Sequence, residues 1–353
     1  MLDNPILITG VYRSGTTMLT GFLDTHENLE IDHPSVQYFR YIIKKNISPN
    51  HYKDIVHSIA ERVNFRYQIK LNTSRILSEI ENNPEGEVSH KIIYDCVMRG
   101  RNNYSGKRWG EKTLLEWTNI PTFIDMYPSG KTIHIVRDPR DVLASYKNMT
   151  YETKDKYLDA IFNCLDSMSH GIKYSSTLSK SDYYLVKFED IINNKMEELE
   201  KICRYLDIEF NEANYDQDNV KEGVGSGTVN LTVKSQSSFP SSKSKSFKRW
   251  HTSLSSDELN LAEGLLSNVM KHFDYKLSDN FNDNHLDWLL SIFKDNELIN
   301  KRFIHYLQTG EGAEEFPSDA TNPKNWASAT ADQGKELNKG AANMYKKLFK
   351  DSQ

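Results

Sequence analysis

The chain has 353 residues, 38% hydrophobic and 26% charged, with a formal net charge of −5. That length holds a large core and, at ~150 residues each, about two domains, while the slightly acidic balance offers no global basic field for nucleic acid or an anionic membrane. Cys96, Cys164 and Cys203 are scattered without a C-x-x-C pair, which argues for a reducing compartment and against a structural zinc, and no run approaches the ~20 apolar residues of a membrane helix.

The first element is an apolar run, Ile6-Leu7-Ile8, ending in a glycine-bracketed turn from Gly10 to Gly15. An amphipathic run follows, Met18 to His26. This is the pattern of a buried strand, a phosphate-cradling loop and a helix. The spacing matches the Walker pattern G-x-x-x-x-G-K-S/T, except that Thr16 stands where the lysine belongs. The cation lies inside the loop instead, as Arg13, whose planar fork suits a phosphate or sulfate oxygen pair. Because the strand begins near Pro5, no room is left for a signal peptide, and the expectation is a cytoplasmic protein.

The helix is expected to end near Thr25, with a break at Pro34 and a new helix from Val36 to Ile43. Residues 51–82 carry apolar positions at helical intervals and predict two helices; with the preceding one they form a helical cover, at about 35–85, over the mouth of the site. Val88 to Met98 fits a strand or a helix. Lys107 to Thr113 (KRWGEKT) reads as a short polar segment between elements, in which Glu111-Lys112 is an ordinary solvated pair unless something recruits it. A helix from Glu116 to Met126 stops at Pro128-Ser129-Gly130.

Lys131 to Val136 is a second buried strand. It runs into Arg137-Asp138-Pro139-Arg140-Asp141 and a helix through Ser145. The strand, polar loop and helix thus occur twice, each with an arginine at the carboxyl end of a strand, where ligands bind in open α/β sheets. Residues 155–172 form a core helix, Tyr183 to Phe188 a third strand and 195–206 a further helix. The alternation predicts an α/β fold, a mostly parallel sheet with helices on both faces.

From Asp216 to Lys248 the composition turns to Gly, Ser, Asn and Lys. It reads either as a linker or as a lid whose basic cluster (Lys243, Lys245, Lys248, Arg249), closed by Trp250, orders over an anion. A helix over 256–272 precedes residues 281–353, a helical C-terminal extension. Its last amphipathic stretch aligns Leu337, Ala341, Met344, Tyr345, Leu348 and Phe349 on one side. That side is expected to pack on its own domain, against Trp288-Leu289-Ile292-Phe293, or on a second subunit or carrier partner.

Several of these segments together resemble the sulfotransferases that use 3′-phosphoadenosine 5′-phosphosulfate (PAPS). The loop YRSGTTML, the segment RWGEKT, the run RDPRDVLASY and YYLVKFEDII followed by MEELEKICRYLDI carry the likeness, from about residue 5 to 210. FKRWHTSLSSDEL extends it weakly to about 255. The resemblance implies a P-loop-like sulfotransferase domain over residues 1–280. It implies that the first loop (Tyr12, Arg13, Ser14, Gly15, Thr16, Thr17 and Met18) holds the 5′-phosphosulfate. Arg137 and Ser145 match the pair that holds the 3′-phosphate, and Ser246, Lys248 and Arg249 match the closing donor segment. Lys112 falls where related enzymes place a lysine that reaches the transferring group.

The implied reaction is sulfuryl transfer from PAPS to a hydroxyl or amine of a small molecule, glycan or peptide, leaving 3′-phosphoadenosine 5′-phosphate (PAP), with no metal. As in phosphoryl transfer, an in-line displacement needs positioned cations more than covalent help, and Arg13 and Lys112 are the candidates. One position departs from the family: relatives with this loop often carry a glutamate after the first helix, where this chain has Asp32, His33 and Pro34. His33 is the best substitute base, since a neutral imidazole titrating near 6.5 suits proton removal. An acceptor that is already nucleophilic, such as an amine, needs no strong base. The rival readings are an ATP-dependent kinase, which the missing Walker lysine disfavours, and a non-catalytic nucleotide sensor; the oligomeric state is left open, with a homodimer as one option.

Overall fold

Five parallel strands, β1 Ile6–Gly10, β2 Leu29–Asp32, β3 Arg108–Lys112, β4 Lys131–Val136 and β5 Tyr183–Lys187, form one sheet in the order β2-β3-β1-β4-β5. The computed structural model describes residues 4–33, 35–48, 51–67, 69–147, 156–215, 248–279, 281, 291, 294–309 and 312. Ser246, Pro34, the 216–247 linker or lid, Trp288, Leu289, Ile292 and Phe293, and the amphipathic stretch at 337–349 lie outside the described residues.

The central strand explains the two cores. All five residues of β1 are buried, and alternation along the strand sends Leu7 to one cluster and Ile6 and Ile8 to the other. Burying each such side chain contributes about 1.5–3 kcal/mol. The cluster around Ile6 and Ile8 is closed by α1 (Thr16–Leu23), α9 (Phe188–Asn193) and α10 (Lys195–Tyr205) through Leu19, Phe22, Ile191 and Leu199.

The larger cluster lies on Leu7's side. It gathers α2 (Tyr38–Tyr41), α3 (Tyr52–Tyr67), α4 (Thr73–Glu81), α5 (His90–Arg101), α6 (Ile120–Met126), α7 (Pro139–Lys147) and α8 (Asp159–Thr177). The helices predicted over 51–82 are α3 and α4; α4 begins where the Asn72 side chain accepts from the Arg75 amide. The ambiguous stretch at 88–98 is helical because Ser89 caps it, accepting from Ile92 N, and its apolar positions Ile92, Ile93, Cys96 and Val97 recur at helical spacing.

Two strands were not expected. Leu29–Asp32 pairs with β3 in register Asp32↔Glu111. Arg108–Lys112, expected as a polar loop, is a wholly buried strand between β1 and β2, in register Leu7↔Glu111 and Ile8↔Lys112. It tolerates three charged residues because each finds a polar partner: Arg108 donates to Asn4 O and Leu206 O, Glu111 accepts from Tyr94 and Gln37, and Lys112 donates to Thr17.

Beyond the basic cluster, α11 (Trp250–Ser253) and α12 (Ser256–His272) return to the sheet's large-cluster side, the latter opened by a Ser255/Glu258 capping box. The last described helix, α13 (Glu297–Thr309), packs on α8. Arg302 forks onto Asp159 at 3.0 and 3.1 Å, Ile299 is buried, and Gly312 N donates to Asp166 Oδ2 at 2.9 Å.

Candidate active site

The four strands β2, β3, β1 and β4 lie side by side, and each ends in a residue singled out in the sequence. In that spatial order they deliver His33, Lys112, the Val11–Gly15 loop and Arg137. Carboxyl ends of parallel strands, beside the strand where the order reverses, are where such sheets bind ligands.

The loop between β1 and α1 is held by its own backbone. Ser14 N and Ser14 Oγ both donate to Val11 O, at 3.1 and 2.6 Å. Arg13 and Gly15 take left-handed conformations, φ 68° and 103°. Gly15 cannot carry a side chain, since a Cβ there would sit 2.3 Å from Phe188 Cδ2. Gly10 is closed off as well, its Cβ falling 2.5 Å from Ile135 O. Gly15 is the N-cap of α1 and no side chain caps it, so the first-turn amides face outward with their dipole, an arrangement suited to an anion.

Cations converge on this turn. Arg13 Nε donates to Ser145 Oγ at 2.9 Å, and Arg137 Nη1 donates to Arg13 O at 2.9 Å. The Arg137 guanidinium lies 4.3 Å from the centre of the Phe188 ring. Lys112 Nζ reaches Thr17 Oγ1 at 3.0 Å across the start of α1. Arg13 is exposed to solvent, yet protein atoms crowd its guanidinium; that crowding, then the charges of Arg137 and Arg249, lower its pKa to about 10, a shift that solvent screens at so exposed a residue. Burial lowers Lys112 to about 8, against the pull of Asp32 and with Arg13 adding to the shift. Arg137 is shifted down by burial. Among the described residues neither Arg13 nor Lys112 forms a carboxylate ion pair. Positive charge so gathered is costly unless an anion joins it.

The basic segment after residue 247 closes the same end. Lys248, at φ 57°, and Trp250 both donate backbone N–H groups to Asp141, at 2.9 and 3.3 Å. Trp250 lies under the Arg140 guanidinium at 4.2 Å, and Arg140 is in turn locked to Asp138 and Glu263 at 2.7 Å each. Lys248 and Arg249 are exposed, and Arg249 is near enough to lower the pKa of both Arg13 and Arg137.

Not every expected residue points into the site. Met18 is 5% exposed and belongs to the core of Ile6, Ile8 and Phe22. The Ser14 hydroxyl is spent on Val11, and buried Thr16 serves the helix start through its carbonyl, which accepts from Thr20. Tyr12 lies edge-on to Tyr146 at 6.3 Å, and its hydroxyl accepts from Arg40 Nη1 at 3.3 Å. Thr17 is exposed beside Lys112.

His33 stands beside Lys112, but it is less basic than its type suggests. Burial first, then the Lys112 charge, lower it to about 4, with Asp32 partly opposing. The ring is therefore neutral at physiological pH. Sequence reasoning missed the groups behind it: Asp32, Arg62, Tyr94, Arg101 and Glu111, all buried. It also missed Asp141, which fixes the closing basic segment.

Known proteins resemble this chain over the same region. A family model described as the Sulfotransferase family matches residues 5–212. A protein-tyrosine sulfotransferase of Drosophila melanogaster is 21% identical over 212 residues, 59% of this chain; the matched stretch spans 39% of that relative. Among solved structures, the sulfotransferase domain from the curacin biosynthetic pathway superposes with a TM-score of 0.52 at 16% identity, covering 78% of this chain and 99% of that one. The sulfotransferase domain of the Synechococcus PCC 7002 olefin synthase gives 0.50 at 18%, covering 78% and 97%. At such identities the structural likeness is one of fold. With the family model matching more than half of its length, the chain belongs to the sulfotransferase family.

Proposed function

We propose that this sulfotransferase takes its sulfuryl group from PAPS and passes it to a hydroxyl or amine acceptor, releasing PAP. The observation that carries the reading is the convergence of Arg13, Lys112, Arg137 and Arg249 on an uncapped helix start. A donor with phosphates at both ends of its ribose matches that spread of charge. The loop amides and Arg13 suit the 5′-phosphosulfate, and Arg137, linked to Ser145 through Arg13, suits the 3′-phosphate that separates PAPS from ATP.

In the step itself the acceptor oxygen attacks sulfur, the bond from sulfur to the 5′-phosphate oxygen breaks, and the acceptor proton passes to the neutral His33 ring. Lys112 and Arg13 stabilise the negative charge growing on the departing phosphate. The donor's anionic charge offsets the Lys112 contribution to the low His33 pKa, while burial, the larger cause, stays. A Walker lysine has no task here, because no γ-phosphate is split.

The test is a label-transfer assay with sulfur-labelled PAPS offered to phenols, alcohols, amines, glycans and tyrosine peptides, read by mass gain of a sulfuryl group. Lys112→Ala is expected to lower turnover by about 10²–10³-fold while leaving PAP binding nearly unchanged. Full turnover by that variant would remove Lys112 from the mechanism. Phosphoryl transfer from ATP in place of sulfuryl transfer would favour the kinase reading.

A further inference from the structure

The turn that follows β2 and carries His33 is tied down by charged side chains from four elements. Asp32 Oδ2 accepts from Ser35 N at 2.9 Å, Ser35 Oγ at 2.6 Å and Val36 N at 3.3 Å. Arg101 of α5 bridges Asp32 Oδ1 at 3.0 Å and donates to Ser35 Oγ at 3.0 Å. Arg62 of α3 donates to the Ser35 and Val36 carbonyls. Glu111 of β3 accepts from Gln37 N on one oxygen and from the Tyr94 hydroxyl of α5 on the other. Asp32, Arg62, Arg101 and Glu111 are all 8% exposed or less. Gln37 takes a left-handed φ of 46°, a conformation that costs energy in a non-glycine residue unless its surroundings fix it.

We propose that Glu111 is a positioning residue for the transfer: by holding Gln37 it fixes the 35–37 segment after β2, and thereby the His33 ring, opposite its own strand neighbour Lys112. Successive residues of a strand face opposite sides. Glu111 lies in register with Leu7 and Asp32 and meets α5, while Lys112 lies in register with Ile8 and meets α1. One rigid five-residue strand therefore sets both the cation and, through the turn, the base. This accounts for a buried Glu111 beside Lys112 in the strand, which neither the core nor the donor site requires. Burial, and then Asp32, push Glu111 up to about 8, so an uncharged group of the same shape is compatible with the place.

The inference rests on reading His33 as the base, and the experiment separates the two. With PAP bound, the ring signals of His33, identified by their loss in His33→Ala, are compared by NMR in wild type, Glu111→Ala and Glu111→Gln. The expected result is a displaced or broadened His33 ring in Glu111→Ala and a near-native one in Glu111→Gln. On the acceptor found by label transfer, Glu111→Ala should lower kcat by about tenfold or more with PAP affinity retained. Glu111→Gln should recover most of that loss, and Glu111→Ala should have little further effect in a His33→Ala background.

An unmoved His33 ring in Glu111→Ala, or an equal loss of kcat in both backgrounds, overturns the proposal. Wild-type turnover by His33→Ala removes the base reading on its own, and the ring comparison still decides whether Glu111 places the turn. Should Glu111→Ala not fold, Tyr94→Phe, which removes one of the two donors, carries the same comparison with a smaller change.

Discussion

Lys112 has to meet two demands: it must be charged when it faces the leaving phosphate, and it is buried before the donor arrives. Burial lowers it to about 8, so it is protonated through neutral pH and loses its proton above that. His33 works in the opposite sense. It must be neutral to accept a proton, and its pKa of about 4 keeps it so above that pH. If both act in the free enzyme, kcat/KM rises with pH through about 4 and falls again through about 8. Lys112→Arg should carry the alkaline limb upward, because a guanidinium stays protonated. A profile flat between pH 7 and 9 would contradict the role given to Lys112. The histidine was legible as a residue type, but its low basicity was not. That depends first on the depth of burial and then on Lys112, 79 positions away in the chain.

At the scale of elements, the strand–loop–helix unit at the amino terminus was legible in full, because its signals are local. An apolar run gives the strand, two glycines bracket the turn, and an amphipathic period gives the helix. Gly15 is where that reading is most sharply tested. Replacing it with alanine forces a Cβ into Phe188 at φ 103°, which should cost about 1–3 kcal/mol in thermal or denaturant unfolding and abolish PAP binding. A variant of unchanged stability would mean that the turn is not built as described. β3 was illegible for the complementary reason. Arg108, Glu111 and Lys112 give the segment the composition of a loop, and their partners (Leu206, Tyr94, Gln37 and Thr17) are scattered along the chain. No window of sequence holds that information. β2 is short, and its pairing with β3 is equally non-local. So Lys112 was found by family likeness, whereas the strand that aims it needed the structure.

Across the molecule, the site is a product of topology. Four neighbouring parallel strands end at one edge, and α7 with α11 folds the later basic segment onto that edge through Asp141. The described part of the extension is joined to this body by α13, whose Arg302 forks onto buried Asp159 at the start of α8. Arg302→Ala removes the charge-assisted fork from Asp159 and should destabilise the protein by about 1.5–3 kcal/mol in denaturant titrations. A change too small to measure would mean that α13 rests loosely on α8. The central claim is that the cations at the strand ends are arranged for a nucleotide bearing a 3′-phosphate. Its most direct test is calorimetric titration of the protein with PAP and with AMP, in wild type and in Arg137→Ala. A charge-assisted contact contributes about 1.5–3 kcal/mol, so wild type should prefer PAP by about ten- to a hundred-fold, and Arg137→Ala should lose most of that preference. Equal affinity of the wild-type protein for the two nucleotides would contradict the account.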